Sequence, residues 1–69
     1  MSIAENVRVR RIERGLTQQE LGDKVGGVGR SYIAQIERGS KVPSMYMGKM
    51  LAEALGCKLD DLLREKGEG

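Results

Sequence analysis

Glycines at positions 15, 26, 27, 39 and 56 punctuate this 69-residue chain and limit what it can become. Inside a helix a glycine costs up to about 1 kcal/mol, whereas just past a helix C-terminus it is the favoured stop. The stretches between these stops carry apolar residues three and four apart, and none alternates apolar with polar over a useful length. The predicted fold class is therefore all-α. Five short helices are expected at about residues 3–14, 18–25, 30–38, 44–55 and 59–65.

Start signals agree with those stops. Thr17 followed by Glu20 is a capping box, so a two-turn helix opens there and closes at Gly26-Gly27. The third segment places Ile33 and Ile36 three apart, with Tyr32 one turn before Ile36, and ends at Gly39. Pro43 disfavours helix at Val42 and suits the first turn of the fourth segment. There Met45, Ala52 and Leu55 are spaced for one buried face. The fifth turns Leu59, Leu62 and Leu63 inward and has Asp60-Asp61 in its first turn, where the helix dipole favours anions. In the first, Ile3, Val7 and the Arg10-Arg11 pair share a side.

Composition excludes several kinds of chemistry. The chain has no His and a single Cys, Cys57. That rules out a zinc site built from several Cys or His ligands, a disulfide framework and a His-based catalytic dyad. Between Leu55 and Leu59, Cys57 reads as a small apolar filler in a reducing compartment. With no Phe or Trp, the core must come from aliphatic residues, Met and two Tyr. Stability should be modest, and a dimer or other partner would help. No apolar run exceeds three residues, so neither a membrane span nor a signal-peptide core is expected. A cytoplasmic protein without a membrane partner is the expectation. One domain over residues 1–66 and a short disordered tail at 67–69 complete the layout.

Residues 1–49 hold nine Lys/Arg against five Asp/Glu, and residues 50–69 hold three against five. A basic front and an acidic back suit a protein that faces a polyanion on one side. The stretch "KVGGVGRSYIAQIERG", residues 24–39, then asks whether its glycines cradle a phosphate or make a turn. A phosphate loop needs Gly five residues before Gly29, where Lys24 stands, and Lys rather than Arg30 after it. A dinucleotide fingerprint lacks its third glycine. The turn remains: two short helices joined by a glycine turn form a helix-turn-helix, whose second helix enters the DNA major groove. With Ile33 and Ile36 facing the protein, Arg30, Ser31, Ala34, Gln35 and Arg38 occupy the outward arc. Arg reads guanine and Gln reads adenine by bidentate contacts, and Ala allows close approach. Gln18 opens the preceding helix, where free N–H groups favour a phosphate.

"RRIERGLTQQELGDKVG", "IAQIERG", "VPS" and "LAEALGCKLDDLL" together resemble the Cro/cI-type (Xre) helix-turn-helix family of phage and bacterial repressors. The resemblance covers about residues 3–63 and implies a lambda-repressor-like five-helix domain with the helix-turn-helix at helices 2 and 3. It implies that Arg11 and Glu37 form a partly buried ion pair. It places Gln18, Arg30, Ser31 and Gln35 at base or nearby phosphate contacts, with Tyr32 also at the opening of the recognition helix. Arg38, Ser40 and Lys41 fall near the DNA backbone. Departures are specific: one residue too many in the Gly26–Gly29 turn, Gly29 where Ser or Thr usually caps, Gly22 for a common Ala, and Gly48 for a large apolar residue.

The expected function is a sequence-specific double-stranded DNA-binding transcriptional regulator, repressor-like, acting as a homodimer on a near-palindromic operator. No catalytic group and no cofactor are implied. An antitoxin or a restriction–modification controller would share the fold, with a toxin or anti-repressor as protein partner. A protein-interaction module that does not bind DNA is the reading from another class. The dimer surface is expected around residues 58–64. Met45, Met47 and Met50 have two readings, core filling around Gly48 or an exposed patch for dimerisation.

Overall fold

The computed structural model describes residues 3–64, and within them the fold is all-helical. Helix α1 spans Ile3–Glu13, α2 Gln18–Lys24, α3 Arg30–Arg38, α4 Met45–Ala54 and α5 Leu59–Leu63. The tail expected at 67–69 lies outside the described residues.

Most helix ends are set by chemistry written locally in the chain. Thr17 Oγ1 accepts from Glu20 N–H at 3.0 Å while Glu20 Oε1 accepts from Thr17 N–H at 2.9 Å, completing the box that opens α2. Ser44 Oγ accepts from Met47 N–H at 3.1 Å and starts α4, so Ser44 is the cap of that helix and not its first residue. Lys58 N–H donates to Asp61 Oδ2 at 3.0 Å, and this bond, helped by Arg10, Arg64 and Lys58 nearby, holds the Asp61 carboxyl below the usual range. At the other ends, α1, α3 and α4 close with the same paired bonds. Leu16, Ser40 and Cys57 N–H reach back five residues to the Arg11, Gln35 and Ala52 carbonyls, while Gly15, Gly39 and Gly56 N–H reach back three. That closure leaves Arg14 outside α1.

The core is one cluster: Val7, Leu21, Val25, Ile33, Ile36, Leu51, Ala52, Leu55 and Leu62, all buried. Around it α2 packs on α3, α1 on α3 and α5, and α4 on α5. Cys57 is half-buried against the cluster, and burial pushes its thiol up, which suits the filler role.

Several inward assignments are corrected by the structure. Met45 is 73% exposed, because the buried Pro43 takes the inward place just before the cap. Leu63 is 58% exposed: a five-residue helix offers one narrow stripe, which Leu59 and Leu62 fill. The helix also stops there, with Arg64 already extended; the expected end at 65 lies outside the described residues. The three methionines divide between the two readings. Met47 and Met50 pack on the core and Met45 does not. Nor does Gly48 leave a space for them. Its Cα lies against Leu59, whose Cδ1 is 3.0 Å from where a Cβ would stand, so glycine lets α5 approach α4 closely.

Helix α1 contributes only Ala4 and Val7 to the buried set and is held largely by polar side chains. Asn6 Nδ2 donates to the Leu62 carbonyl at 2.6 Å and the Arg64 carbonyl at 2.9 Å, satisfying acceptors that the end of α5 leaves open. Arg14 Nε does the same for the Leu55 carbonyl at the end of α4, at 3.0 Å. Asn6→Ala should therefore lower stability by about 1–2 kcal/mol in chemical denaturation. Asn6→Asp should lower it further, because a carboxylate would face two carbonyl oxygens. An Asn6→Ala protein as stable as the natural chain would show that the amide donors contribute nothing.

Candidate nucleic-acid interface

Helices α2 and α3 and the turn between them present the face on which the sequence-derived site residues gather. Inside α3, Ile33 and Ile36 are fully buried and fix its rotation about its own axis. Ser31, Gln35 and Arg38 then follow one another at four- and three-residue spacing along the opposite face. Arg30, Ser31 and Arg38 are exposed; Ala34 and Gln35 are partly exposed. The arc thus carries two guanidinium groups, a hydroxyl and an amide around one small residue, a set able to hydrogen-bond base edges and phosphates.

Tyr32 lies differently. Its ring is half-buried against the core, and Lys41 Nζ sits 5.6 Å from the ring centroid. Lys41 and Ser40 are held to the end of α3 through their backbones, both N–H groups converging on the Gln35 carbonyl at 3.3 and 2.9 Å. Arg38 Nε reaches Ser40 Oγ at 3.3 Å. Arg38, Ser40 and Lys41 therefore form one polar, basic corner.

Behind this face is a buried charge. Arg11 Nε donates to Glu37 Oε2 at 2.7 Å and Nη2 to Glu37 Oε1 at 3.1 Å. The Glu37 side chain is only 4% exposed and that of Arg11 13%. The remaining Arg11 nitrogen, Nη1, donates to the Leu16 carbonyl at 2.8 Å in the α1–α2 loop. Gln18 Nε2 completes the set by donating to Glu37 Oε1 at 3.1 Å. Gln18 therefore joins the start of α2 to α3, with part of its amide committed inward. That inward bond was not legible in the sequence, where Gln18 read as an outward group only. Its signal would have been the glutamine directly after a cap and facing the same buried carboxylate as Arg11.

Gly29 takes an extended cap geometry (φ −70°, ψ 164°) and gives α3 no side-chain acceptor. Tyr32 N–H bonds the Gly29 carbonyl at 3.1 Å instead. Among the described residues no cluster of His, Cys, Asp or Glu could hold a metal ion, and no helix is long and apolar enough to cross a membrane.

A bihelical unit with a buried Arg–Glu pair behind a polar second helix defines a class, and comparison with known proteins places the chain within it. A family model described as helix-turn-helix matches residues 7–62. The chain belongs to the Cro/cI-type helix-turn-helix transcriptional regulators. It is 41% identical over 46 residues to the HTH-type transcriptional regulator YqaF of Bacillus subtilis, covering 67% of this chain and 59% of YqaF. It is 35% identical over 66 residues to the immunity repressor of Bacillus phage phi105, covering 96% of this chain and 45% of the repressor. The chain thus spans about half the length of these two relatives. Among solved structures it resembles the P22 c2 repressor in complex with a synthetic operator. The TM-score there is 0.86 at 35% identity, with 99% of this chain and 98% of that chain covered.

Removing one partner of the buried pair leaves the other charged and unmatched, so Arg11→Ala should cost about 3–5 kcal/mol. Arg14→Ala, which gives up one bond to the Leu55 carbonyl at the surface, should cost about 1 kcal/mol. Thermal melting of the two variants checks the order; equal melting temperatures would mean that the Arg11–Glu37 pair contributes little.

Proposed function

We propose that this protein is a repressor-like regulator that binds a specific, near-palindromic double-stranded DNA site as a homodimer. The observation that carries the reading is the outward arc of α3, where Arg30, Ser31 and Gln35 stand clear of a helix locked by Ile33, Ile36 and Glu37. Arg30 and Gln35 would read base edges, with Ser31 between them. Gln18, Arg38, Ser40 and Lys41 would grip phosphates on either side, and Tyr32 would act mainly by holding Lys41. The P22 c2 repressor, similar over nearly the whole chain, has been seen in complex with a synthetic operator, which supports DNA binding by this chain. A protein with this arc in place needs neither cofactor nor catalytic group to perform that task, and its place of action would be the cytoplasm.

Arg30→Ala and Gln35→Ala should each weaken binding to the selected site by about 1–3 kcal/mol and leave random DNA nearly unchanged. Lys41→Ala should weaken both alike and lower the salt dependence. Sites selected in vitro from random DNA, followed by titration of each variant, provide the measurement. If Arg30 and Gln35 variants lose equally on both DNAs, these side chains contact phosphates, not bases.

The dimer surface expected around residues 58–64 would, in this reading, extend from α5 to the loop before α4. Val42, Met45 and Leu63 are exposed there around a groove of about 220 Å³, floored by Pro43, Gly48 and Leu59. Pairing two such faces would remove apolar surface that one domain leaves in water. Leu63→Asp should raise the dimer dissociation constant by about tenfold or more. Analytical ultracentrifugation measures it, and an unchanged constant would move the interface elsewhere.

A further inference from the structure

Where α1, α2 and α4 end, a hollow of about 280 Å³ opens, lined by Arg14, Leu16, Lys24 and Ala54. A second hollow of about 340 Å³ adjoins it, sharing Lys24 and Ala54 and adding Met50 and Glu53. Two of the lining side chains are cations, and neither has a carboxylate partner among the described residues. The arc residues Arg30, Ser31, Gln35 and Arg38 line neither hollow.

Arg14 is not a loose surface cation. Its Nε donates to the Leu55 carbonyl at 3.0 Å, and its Nη2 lies over Gly56, in the space a Cβ would fill. Holding a long side chain in one place costs rotamer entropy that a single exposed hydrogen bond does little to offset. The fork so held keeps Nη1 and Nη2 without a hydrogen bond among the described residues. A planar guanidinium with free N–H groups matches an oxyanion, and Lys24 brings a second positive charge to the same hollow. Cations near helix C-termini are ordinarily explained by the helix dipole, and Lys24 in the last turn of α2 meets that need as well. The dipole alone requires neither a seated guanidinium nor a concave surface beside it.

We propose that this hollow is a binding site for a small oxyanion, a carboxylate or phosphate group held between Arg14 and Lys24. Leu16 and Ala54 would cover a short apolar body. Glu53 in the adjoining hollow repels a second negative end, so the other end of the ligand is neutral or cationic. The class is a small metabolite with one anionic end. Leu16 also ties the hollow to the buried charge, because its carbonyl accepts from Arg11 Nη1 at 2.8 Å. The site itself does not depend on the DNA-binding reading.

NMR titration of the full-length protein tests the assignment, with sodium phosphate, butyrate, 4-aminobutyrate and glutarate at constant ionic strength. Saturable shifts are expected at Arg14 Nε–H and at the Leu16 and Ala54 amides. Saturation by phosphate or by butyrate identifies which oxyanion the site takes. Glutarate should bind at least about threefold more weakly than 4-aminobutyrate, and Glu53→Gln should narrow that difference. Arg14→Gln and Lys24→Gln should each weaken binding by about fivefold or more. If Arg14→Gln fails to fold, Lys24→Gln decides, since it removes no bond that holds the fold. The proposal is overturned if chloride gives the same shifts, or if none of the probes saturates below about 50 mM. It is equally overturned if both variants bind like the natural chain, or if the shifts fall only on Arg30, Ser31 and Arg38.

Discussion

The Glu37 carboxylate sits almost wholly out of water with three N–H donors on it, two from Arg11 and one from Gln18. Burying a charge is costly unless it is matched in both charge and hydrogen bonds, and this one is matched. The arrangement forces three parts of the chain into one place. Arg11 belongs to α1, Gln18 opens α2 and Glu37 ends α3, while Arg11 also grips the Leu16 carbonyl in the loop between the first two helices. An apolar contact tolerates a small slide of one helix past another; a two-point guanidinium–carboxylate bond does not. For a protein that must present a few side chains in fixed register, that intolerance is useful. The outward arc of α3 inherits its placement from the inward bond at Glu37.

The remainder of the scaffold follows from how little apolar volume is available. With no Phe or Trp, the buried cluster consists of aliphatic side chains contributed thinly by all five helices. Helix α1, the longest, supplies only Val7 to it, and polar side chains make up the difference. Asn6 satisfies the end of α5, Arg14 the end of α4 and Arg11 the α1–α2 loop. Each of these meets carbonyls that a short helix or loop would otherwise leave open, and short helices have a large share of such ends. A chain of short helices therefore gives a polar strut many places to attach. The same logic explains why α5, only five residues long, can be part of the fold at all: its start is held by Asp61 and its end by Asn6.

What could be read from the sequence was whatever is decided within a few residues. Thr17 and Glu20 form their box wherever the helix goes, and Ile33 with Ile36 can face only one way from a nine-residue helix. Met45, Leu63 and Gly48 needed the neighbouring element. Met45 has the right spacing for burial, but Pro43 arrives at the core first. Leu63 has the right chemistry, but α5 ends before a wider stripe can form. Gly48 looked like missing volume and is instead the contact surface for Leu59, whose approach a sequence does not display. At the site, the identities on the outer arc were legible because burial of the two isoleucines leaves only that arc. The inward half of Gln18 was not, since its partner lies nineteen residues away.

The turn between α2 and α3 is shaped by backbone contacts. By propensity alone, Gly22 weakens a two-turn helix. In three dimensions its bare Cα is where the Val28 carbonyl lies. Gly26 and Gly27 supply the reversal that brings it there. The irregularity is confined between Leu21 and Ile33, both fully buried, so the helices on either side keep their packing. Glu37 lies a further turn along α3, where Arg11 and Gln18 hold that end independently. Arg30 and Ser31, the first residues of α3, thus follow directly from the turn, while the far end stays anchored to the buried charge.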